Sequence, residues 1–477
     1  MENDEQKKAK PKNQFELDAE RLATTDESGN RVYLYPEDTN GIWKNRRHIV
    51  YWILIFVYLV LPWIHINGRQ AFQLNIFKRE FTLLGYTWFG VEPIVIFLTL
   101  VSIIFFIGFM TSLFGRIWCG WGCPQTVFIQ TIFLKIEKLI EGSARKRREM
   151  DNGPLTAEKF FKKLIKWTIF AIIASHIAHT FMGYLVGTRE LFAMTMHNPL
   201  ENKGFFIAVS IFTGIILLDF GWFREQFCII ACPYGRMQSV LMDNNSLVVA
   251  YDTKRGEPRR GNVAKDQEGD CINCYHCVKV CPTGIDIRRG TQLECIACTN
   301  CIDACDEVME KIHKPKGLIK YTTENELRGE KQSGVRIRSV IYITLSLVFI
   351  SSLAYFISNS GNLKFQFYRG TELPYQIITN SDGSTTITNH FTLKATYQGG
   401  KEHTVTLLVQ DQSIANDVEI VTVMKPIKLN KPETKMPIFF KFNPRILESG
   451  RKKLILNIVE EEKTVSTVEV PLVGPSN

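Results

Sequence analysis

No cysteine follows Cys305, so the C-terminal part of this 477-residue chain has no disulfide to staple it. The first forty residues are polar and charged and lack an apolar core, and no cleaved secretory signal is expected there. A disulfide framework is also missing. The twelve cysteines instead fall into short, repeated spacings that suit reduced thiolates held for metal ligation. The net charge of +9 would suit nucleic acid, but Lys and Arg cluster beside apolar runs, where membrane orientation accounts for them. Nucleic-acid binding is therefore not expected. The near-neutral mean hydropathy averages almost purely apolar runs with strongly charged stretches. The length allows two or three folded units, each with its own core.

Five runs are long and apolar enough to cross a bilayer as helices: 49–66, 93–114, 167–186, 205–223 and 340–357. The intervening segments orient them. Residues 116–163 carry ten Lys or Arg, including Arg145, Lys146, Arg147 and Arg148, whereas 67–90 and 187–203 carry three and two. The positive-inside rule places the N-terminus in the cytoplasm and, after five crossings, the C-terminus outside. Arg336 and Arg338 before the last span agree.

The expected organisation is a polar cytoplasmic segment (1–42), a four-span membrane domain (43–223), a soluble cytoplasmic cysteine-rich insert (224–338), a fifth span (339–358) and an extracytoplasmic domain (359–477). In the last part, short alternating runs such as 404–409, 418–423 and 453–459 are separated by Gly, Asn, Asp and Pro turns, the pattern of a small β-sandwich. One internal repeat is present. Residues 114–125 read F-G-R-I-W-C-G-W-G-C-P-Q and 223–236 read F-R-E-Q-F-C-I-I-A-C-P-Y-G-R, each after an outside-to-inside span, as a duplicated helix-pair unit would give.

Cys271, Cys274, Cys277 and Cys281 form C-x-x-C-x-x-C-x-x-x-C followed by Pro282, and Cys295, Cys298, Cys301 and Cys305 repeat the spacing. Three closely spaced thiolates bind three irons of a cubane, and in two-cluster ferredoxins the fourth ligand comes from the other motif. This pairs Cys271, Cys274 and Cys277 with Cys305, and Cys295, Cys298 and Cys301 with Cys281, as ligands of two [4Fe-4S] clusters. The fold expected around them is a ferredoxin-like α+β domain. Two zinc sites are the alternative, disfavoured by eight cysteines in two identical runs. Asp306 stands where the first motif has proline, which predicts a less rigid closure and a cluster that is harder to reduce.

Cys119 with Cys123, and Cys228 with Cys232, form C-x-x-x-C pairs followed by Pro124 and Pro233. Proline favours the first position of a helix, which makes Cys123 and Cys232 N-cap residues. A helix N-terminus lowers a thiol's pKa and favours the thiolate that binds soft metal or exchanges electrons. Soft thiolates select Cu(I), zinc or iron–sulfur clusters. The alternatives are small buried residues that pack helices and a regulatory disulfide. The stretch 125–141, with Val127, Phe128, Ile132, Ile136 and Leu139 on one face, suits an interfacial helix.

Weaker candidates are His176 and His179, mid-span at i and i+3, which suit a metal or a helix-to-helix hydrogen bond. Met194, Met196 and His197 offer soft ligands outside the membrane. Asp219, near the inner end of the fourth span, is expected to pair with a cation.

The duplicated W-C-G-W-G-C-P and F-C-I-I-A-C-P segments, the two-cluster insert, the fifth span and the β-rich end together resemble the FixG/RdxA/CcoG family of cytochrome c oxidase accessory proteins. The likeness runs over nearly the whole chain from about Leu34. It implies a bacterial inner-membrane protein that helps mature the cbb-type haem-copper oxidase by reducing Cu(II) to Cu(I). The eight ferredoxin cysteines match the family's cluster ligands, and Cys119, Cys123, Cys228 and Cys232 match its C-x-x-x-C-P pairs. The resemblance further implies an immunoglobulin-like C-terminal module. The partners it implies are the lipid bilayer, the oxidase subunits or a copper chaperone or transporter, and an electron donor. The membrane half is also similar to NapH-type quinol dehydrogenases, which makes a quinol-oxidising relay the rival reading. A third reading is a non-catalytic assembly scaffold.

Overall fold

The computed structural model describes residues 24–475, with gaps at 26–27, 29, 67, 77–79, 85, 90–92, 261–263, 331–335, 360–362, 371–372, 380–384, 398–402, 430–432 and 462. The described residues fall into two compact units. One is drawn from Met1–Leu61, Phe97–Gly183 and Arg189–Ser352, the other from Pro62–Ile96, Tyr184–Thr188 and Leu353–Asn477.

Among the described residues, five helices are long and apolar enough to cross a membrane: Ile42–Trp63, Phe97–Phe114, Ala157–Val186, Lys203–Phe223 and Ile337–Phe356. The helix containing the second span, Pro93–Phe114, has the expected bounds. The first starts seven residues before the apolar run, because Asp303 caps it. The Asp303 carboxylate accepts from the amides of Trp43 (3.2 Å) and Lys44 (2.7 Å), and Arg47 donates to Asn300 Oδ1 at 2.7 Å. A carboxylate at a helix N-terminus satisfies amides that would otherwise be orphaned. Ile103, Ile104 and Phe106 are exposed on the second helix, and Ile207, Ile211 and Ile215 on the fourth, as lipid-facing apolar surface requires.

Residues 124–141 run as one helical stretch that includes a π-helical turn at Ile129–Phe133. This stretch is not an interfacial helix resting on the bilayer. Val127, Phe128, Ile129 and Phe133 are buried with Tyr51, Phe170 and Phe220, whereas Leu139 is exposed. The following turn carries a buried ion network instead. Glu137 accepts from Arg147 (2.9 Å), Arg224 (2.9 Å) and Lys166 (3.1 Å), and Lys166 also reaches Glu141 at 2.7 Å.

In the cysteine-rich part, Val248–Tyr251 pairs antiparallel with Ile319–Thr322. These strands and the helices His276–Lys279 and Asn300–Lys311 enclose a core of Val249, Ile285, Ile287, Ile302, Met309 and Leu318. Asp306 lies inside Asn300–Lys311, where proline would break the helix. The Asp306 carboxylate accepts from the Gly317 amide at 2.8 Å.

The second unit carries two antiparallel sheets over one core. In the first, the order is Val418–Thr422, Glu433–Phe442, Thr385–Tyr397, Leu363–Arg369, with Gln376–Thr379 also pairing the long central strand. In the second it is Ile427–Leu429, His403–Val409, Arg451–Glu460, Lys463–Val473. Period-two alternation sends Met436, Ile438, Phe440 and Phe442 inward against Leu454, Leu456 and Ile458. The buried Asn389 satisfies its amide on the backbone of Val473, donating to its carbonyl and accepting from its N–H, both at 2.8 Å. A three-stranded meander, Phe72–Asn75, Glu80–Leu83 and Tyr86–Phe89, belongs to the same unit and was not anticipated.

Candidate functional site: two thiolate cavities and a thiol quartet

The two ferredoxin motifs fold as copies. Residues two and four positions after the first cysteine take left-handed backbone angles in both: Asn273 (φ 57°) and Tyr275 (58°), Ala297 (53°) and Thr299 (65°). Alternating handedness of this kind curls a loop so that its amides face a concavity, the form that receives anionic groups. Cys271, Cys274, Cys277 and Cys305 line one cavity. Cys281, Cys295, Cys298 and Cys301 line another, and Cys277 borders both. The crossed arrangement read from the spacing is thus the one the fold brings together. All twelve cysteines are unbridged.

Among the described residues, no three His, Cys, Asp or Glu side chains converge as a ready-made site for a single metal ion. Cubane ligands bind separate irons and so ring a cavity instead of converging. The donor set and the curled loops fit such clusters.

Cys123 and Cys232 are the N-caps of Pro124–Phe128 and Pro233–Leu241, with proline first in each helix. At Cys123 the expected lowering of the thiol pKa does not follow. Burial pushes Cys123 up despite the Gln125 and Thr126 amides, raises Cys119 to about 11 despite Arg116, and raises Cys228 as well. Removal from water outweighs the short helix dipole. All four thiols lie within electrostatic reach of one another. Cys119 donates to Gln238 Oε1 at 3.2 Å, and the same oxygen accepts from Arg116 Nε at 3.1 Å. Arg116 in turn donates to the Gly235 carbonyl at 2.9 Å, so each half of the repeat holds the other.

The quartet abuts the second ferredoxin loop. Cys119 and Cys228 share an apolar cluster with Ile296, Cys298 and Tyr234. Gly120 lies so close that a Cβ there would meet the Ile296 carbonyl oxygen at 2.6 Å. Trp121 Nε1 donates to Tyr321 Oη at 3.0 Å, which donates to the Ala297 carbonyl at 3.0 Å, and Trp43 sits edge-on to both rings. A further small cavity is lined by Glu225, Cys228, Thr283 and Ile296, among others. Burial pushes the Glu225 carboxyl up. The sequence reading missed Arg116, Tyr321 and Glu225. The first and last of these occupy equivalent places three residues before Cys119 and Cys228, so the repeat held the available signal.

The other candidates are not gathered into a site. His179 Nδ1 contacts the Ser175 carbonyl at 2.8 Å, a local helical bond, and His176 is exposed. Met196 and His197 are exposed, His197 bonding the Ala193 carbonyl at 2.6 Å. Asp219 accepts from the Gln125 amide at 2.9 Å in place of the expected cation.

A profile described as a 4Fe-4S dicluster domain matches residues 223–324, and one described as a 4Fe-4S binding domain matches 94–142. Protein RdxB of Cereibacter sphaeroides is 33% identical over 338 residues, covering 66% of this chain and 69% of its own. The chain belongs to the FixG/RdxA family. Protein RdxA of the same organism is 36% identical over 61% of this chain and 62% of its own length. The nitrogen fixation protein FixG of Rhizobium meliloti is 34% identical over 64% of this chain and 61% of its own. A crystal structure of a FixG-related protein from Vibrio parahaemolyticus aligns with 23% of this chain at 17% identity and a TM-score of 0.18, too low to carry a fold. This member of the FixG/RdxA family thus combines five helices long and apolar enough to cross a membrane with two regions that match 4Fe-4S profiles.

Proposed function

We propose that this chain reduces Cu(II) to Cu(I) at the thiol quartet, using electrons carried through its ferredoxin part, in the service of cbb-type oxidase assembly. The packing of Cys119 and Cys228 in one apolar cluster with Ile296 and Cys298 carries the reading, because it puts soft thiol ligands against the second ferredoxin loop. Cys271, Cys274, Cys277 and Cys305 would hold one [4Fe-4S] cluster, and Cys281, Cys295, Cys298 and Cys301 the other. When bound, the clusters supply one-electron transfer. Cu(II) is the substrate and gains one electron, supplied in the end by a cytoplasmic or quinol donor. Thiol ligands lose their protons when metal binds, and Glu225, which lines the same cavity as Cys228, would take the Cys228 proton. Gln238 and Arg116 orient Cys119. The ferredoxin part would face the cytoplasm of a bacterial inner membrane. The C-terminal sheets would form an immunoglobulin-like module that docks an oxidase subunit or copper chaperone outside.

The test is to reduce the anaerobic protein stoichiometrically and follow iron–sulfur absorbance and EPR while Cu(II) is added. A variant with Cys119, Cys123, Cys228 and Cys232 all changed to Ser serves as comparison. Reoxidation matched by Cu(I) formation, lost in the variant with its iron retained, is expected. Reoxidation by a quinone analogue with copper ignored would replace copper with quinol.

A second reading has its own support. The 94–142 match to a 4Fe-4S binding profile contains two cysteines, Cys119 and Cys123, so the quartet is a candidate for an iron–sulfur group of its own. Two clusters require about eight irons per chain and three require about twelve. An iron count on wild type and the quartet variant separates the readings.

A further inference from the structure

The repeat puts opposite charges at equivalent places, Arg116 three residues before Cys119 and Glu225 three residues before Cys228. Arg116 is 7% exposed. Among the described residues, no Asp or Glu forms an ion pair with it. Two carboxylates within electrostatic reach of the thiols, Asp219 and Glu225, are committed elsewhere. Asp219 accepts from Gln125 at 2.9 Å, and Glu225 is answered by Arg224 and Arg31. Burying a positive charge is costly unless an opposite charge answers it.

The guanidinium packs against the thiol quartet. Nε donates to Gln238 Oε1 at 3.1 Å and Nη2 to the Gly235 carbonyl at 2.9 Å. The same Gln238 oxygen accepts from the Cys119 thiol at 3.2 Å. Gly235 leaves the space for this. A Cβ there would lie 2.9 Å from Arg116 Nη2, 3.0 Å from the Cys228 carbonyl oxygen and 4.0 Å from Cys232 Cβ. The guanidinium therefore sits beside Cys119 and beside both cysteines of the second pair. Its hydrogen bonds are committed to Gln238 and Gly235, so what it offers a bound metal is charge and not a donor atom.

Thiols that bind metal lose their protons. Two or more thiolates outweigh the single charge of Cu(I), so the complex they form is anionic, and a cation beside it stabilises it in a medium of low dielectric. Reduction of Cu(II) makes the site more negative by one charge, which the same cation favours. We infer that Arg116 is the counter-charge of the quartet: it stabilises copper held there as an anionic thiolate complex, favours Cu(I) over Cu(II), and positions Cys119 through Gln238. The inference deepens the copper reading and rests on it. In the step concerned, the reduced ferredoxin part gives up one electron and Cu(II) becomes Cu(I). No bond to Arg116 forms or breaks.

The experiment uses the full-length, cluster-loaded protein, purified anaerobically and checked for iron content. The variants are Arg116→Gln, Arg116→Lys, and the one with Cys119, Cys123, Cys228 and Cys232 all changed to Ser. Cu(I) affinity is measured by competition with the chelator bicinchoninate. The midpoint potential of bound copper is measured in a redox titration that follows the Cu(II) EPR signal. Cu(I) binding by wild type that the quartet variant lacks tests the copper reading by itself. Given that binding, Arg116→Gln is expected to hold Cu(I) roughly tenfold or more weakly and at a lower midpoint potential. Arg116→Lys keeps the charge and loses the fork, and is expected to stay within about threefold of wild type. A purely structural role of the fork would impair both variants alike. Equal loss in the two therefore overturns the inference, as does wild-type affinity and potential in Arg116→Gln, and either result leaves the copper reading standing. If Arg116→Gln does not keep its iron, Arg116→Lys decides alone: near-wild-type affinity supports the counter-charge, and a loss of roughly tenfold overturns it. If wild type binds no Cu(I), or the quartet variant binds it equally well, the copper reading falls and the inference falls with it.

Discussion

At the residue scale, burial and partners decide the chemistry that residue type only suggests. Glu137 shows this most clearly. Burial alone would raise its carboxyl, but Arg224, Lys166 and Arg147 outweigh it and hold the group at about 2. A carboxylate with a depressed pKa stabilises the fold fully above the ordinary value of 4.5 and progressively less as pH falls toward 2. Thermal melts of the detergent-solubilised protein should therefore fall over that window, and Glu137→Gln should flatten the fall. At neutral pH the same variant leaves three cations facing a neutral amide, and a loss of about 3–5 kcal/mol is expected from denaturant titration. An unchanged melting curve would mean that the cations find other partners. Glu137 does not stand out in the sequence, because a Glu among ten basic residues looks like an ordinary solvated pair. By contrast, the eight ferredoxin cysteines were legible outright, since ligand spacing is itself a local constraint. The thiol pKa values were not, because desolvation depends on what packs over a side chain.

At the element scale, the contact between Ile117–Trp121 and the second ferredoxin loop couples the thiol quartet to the iron–sulfur part. A methyl group at position 120 would press on the backbone of Ile296 and Ala297, with contacts of 2.6 and 2.8 Å. Backbone gives way less easily than a side-chain tip, so Gly120→Ala should cost about 1–3 kcal/mol. It should also displace Ala297 from its Tyr321 hydrogen bond. The EPR signal of the second cluster should change while that of the first is preserved, because the three atoms nearest to a Cβ at position 120 all belong to Ile296 and Ala297 of the second motif. Equal change in both signals would point to global loosening instead. The repeat in the sequence predicted that 114–125 and 223–236 are equivalent units, and the matched proline-first helices agree. It did not predict that the units clasp each other through Arg116, Gly235 and Gln238. Neither did it predict that 124–141 turns its apolar face into the protein. Amphipathic periodicity identifies a face to be covered, but both lipid and protein can cover it.

At the scale of the whole molecule, the proposed topology follows from charge asymmetry around five apolar helices. A fluorescent protein that folds only in the cytoplasm, fused after the ferredoxin part at residue 330, should be bright. The same fusion at the C-terminus should be dark, and alkaline phosphatase fusions should report the reverse. A bright C-terminal fusion would require an even number of crossings. The sequence by itself determined the number and approximate place of the spans, the two four-cysteine motifs and the alternating C-terminal strands. These are written in hydrophobic period, length and ligand spacing, all short-range along the chain. Tertiary structure alone decided that Asp303 caps the first helix from 260 residues away, that Cys119 and Cys228 join Ile296 and Cys298 in one cluster, and that Arg47 and Arg147 share one cavity. Such contacts depend on which packed surfaces exclude water together, and no local pattern encodes that choice.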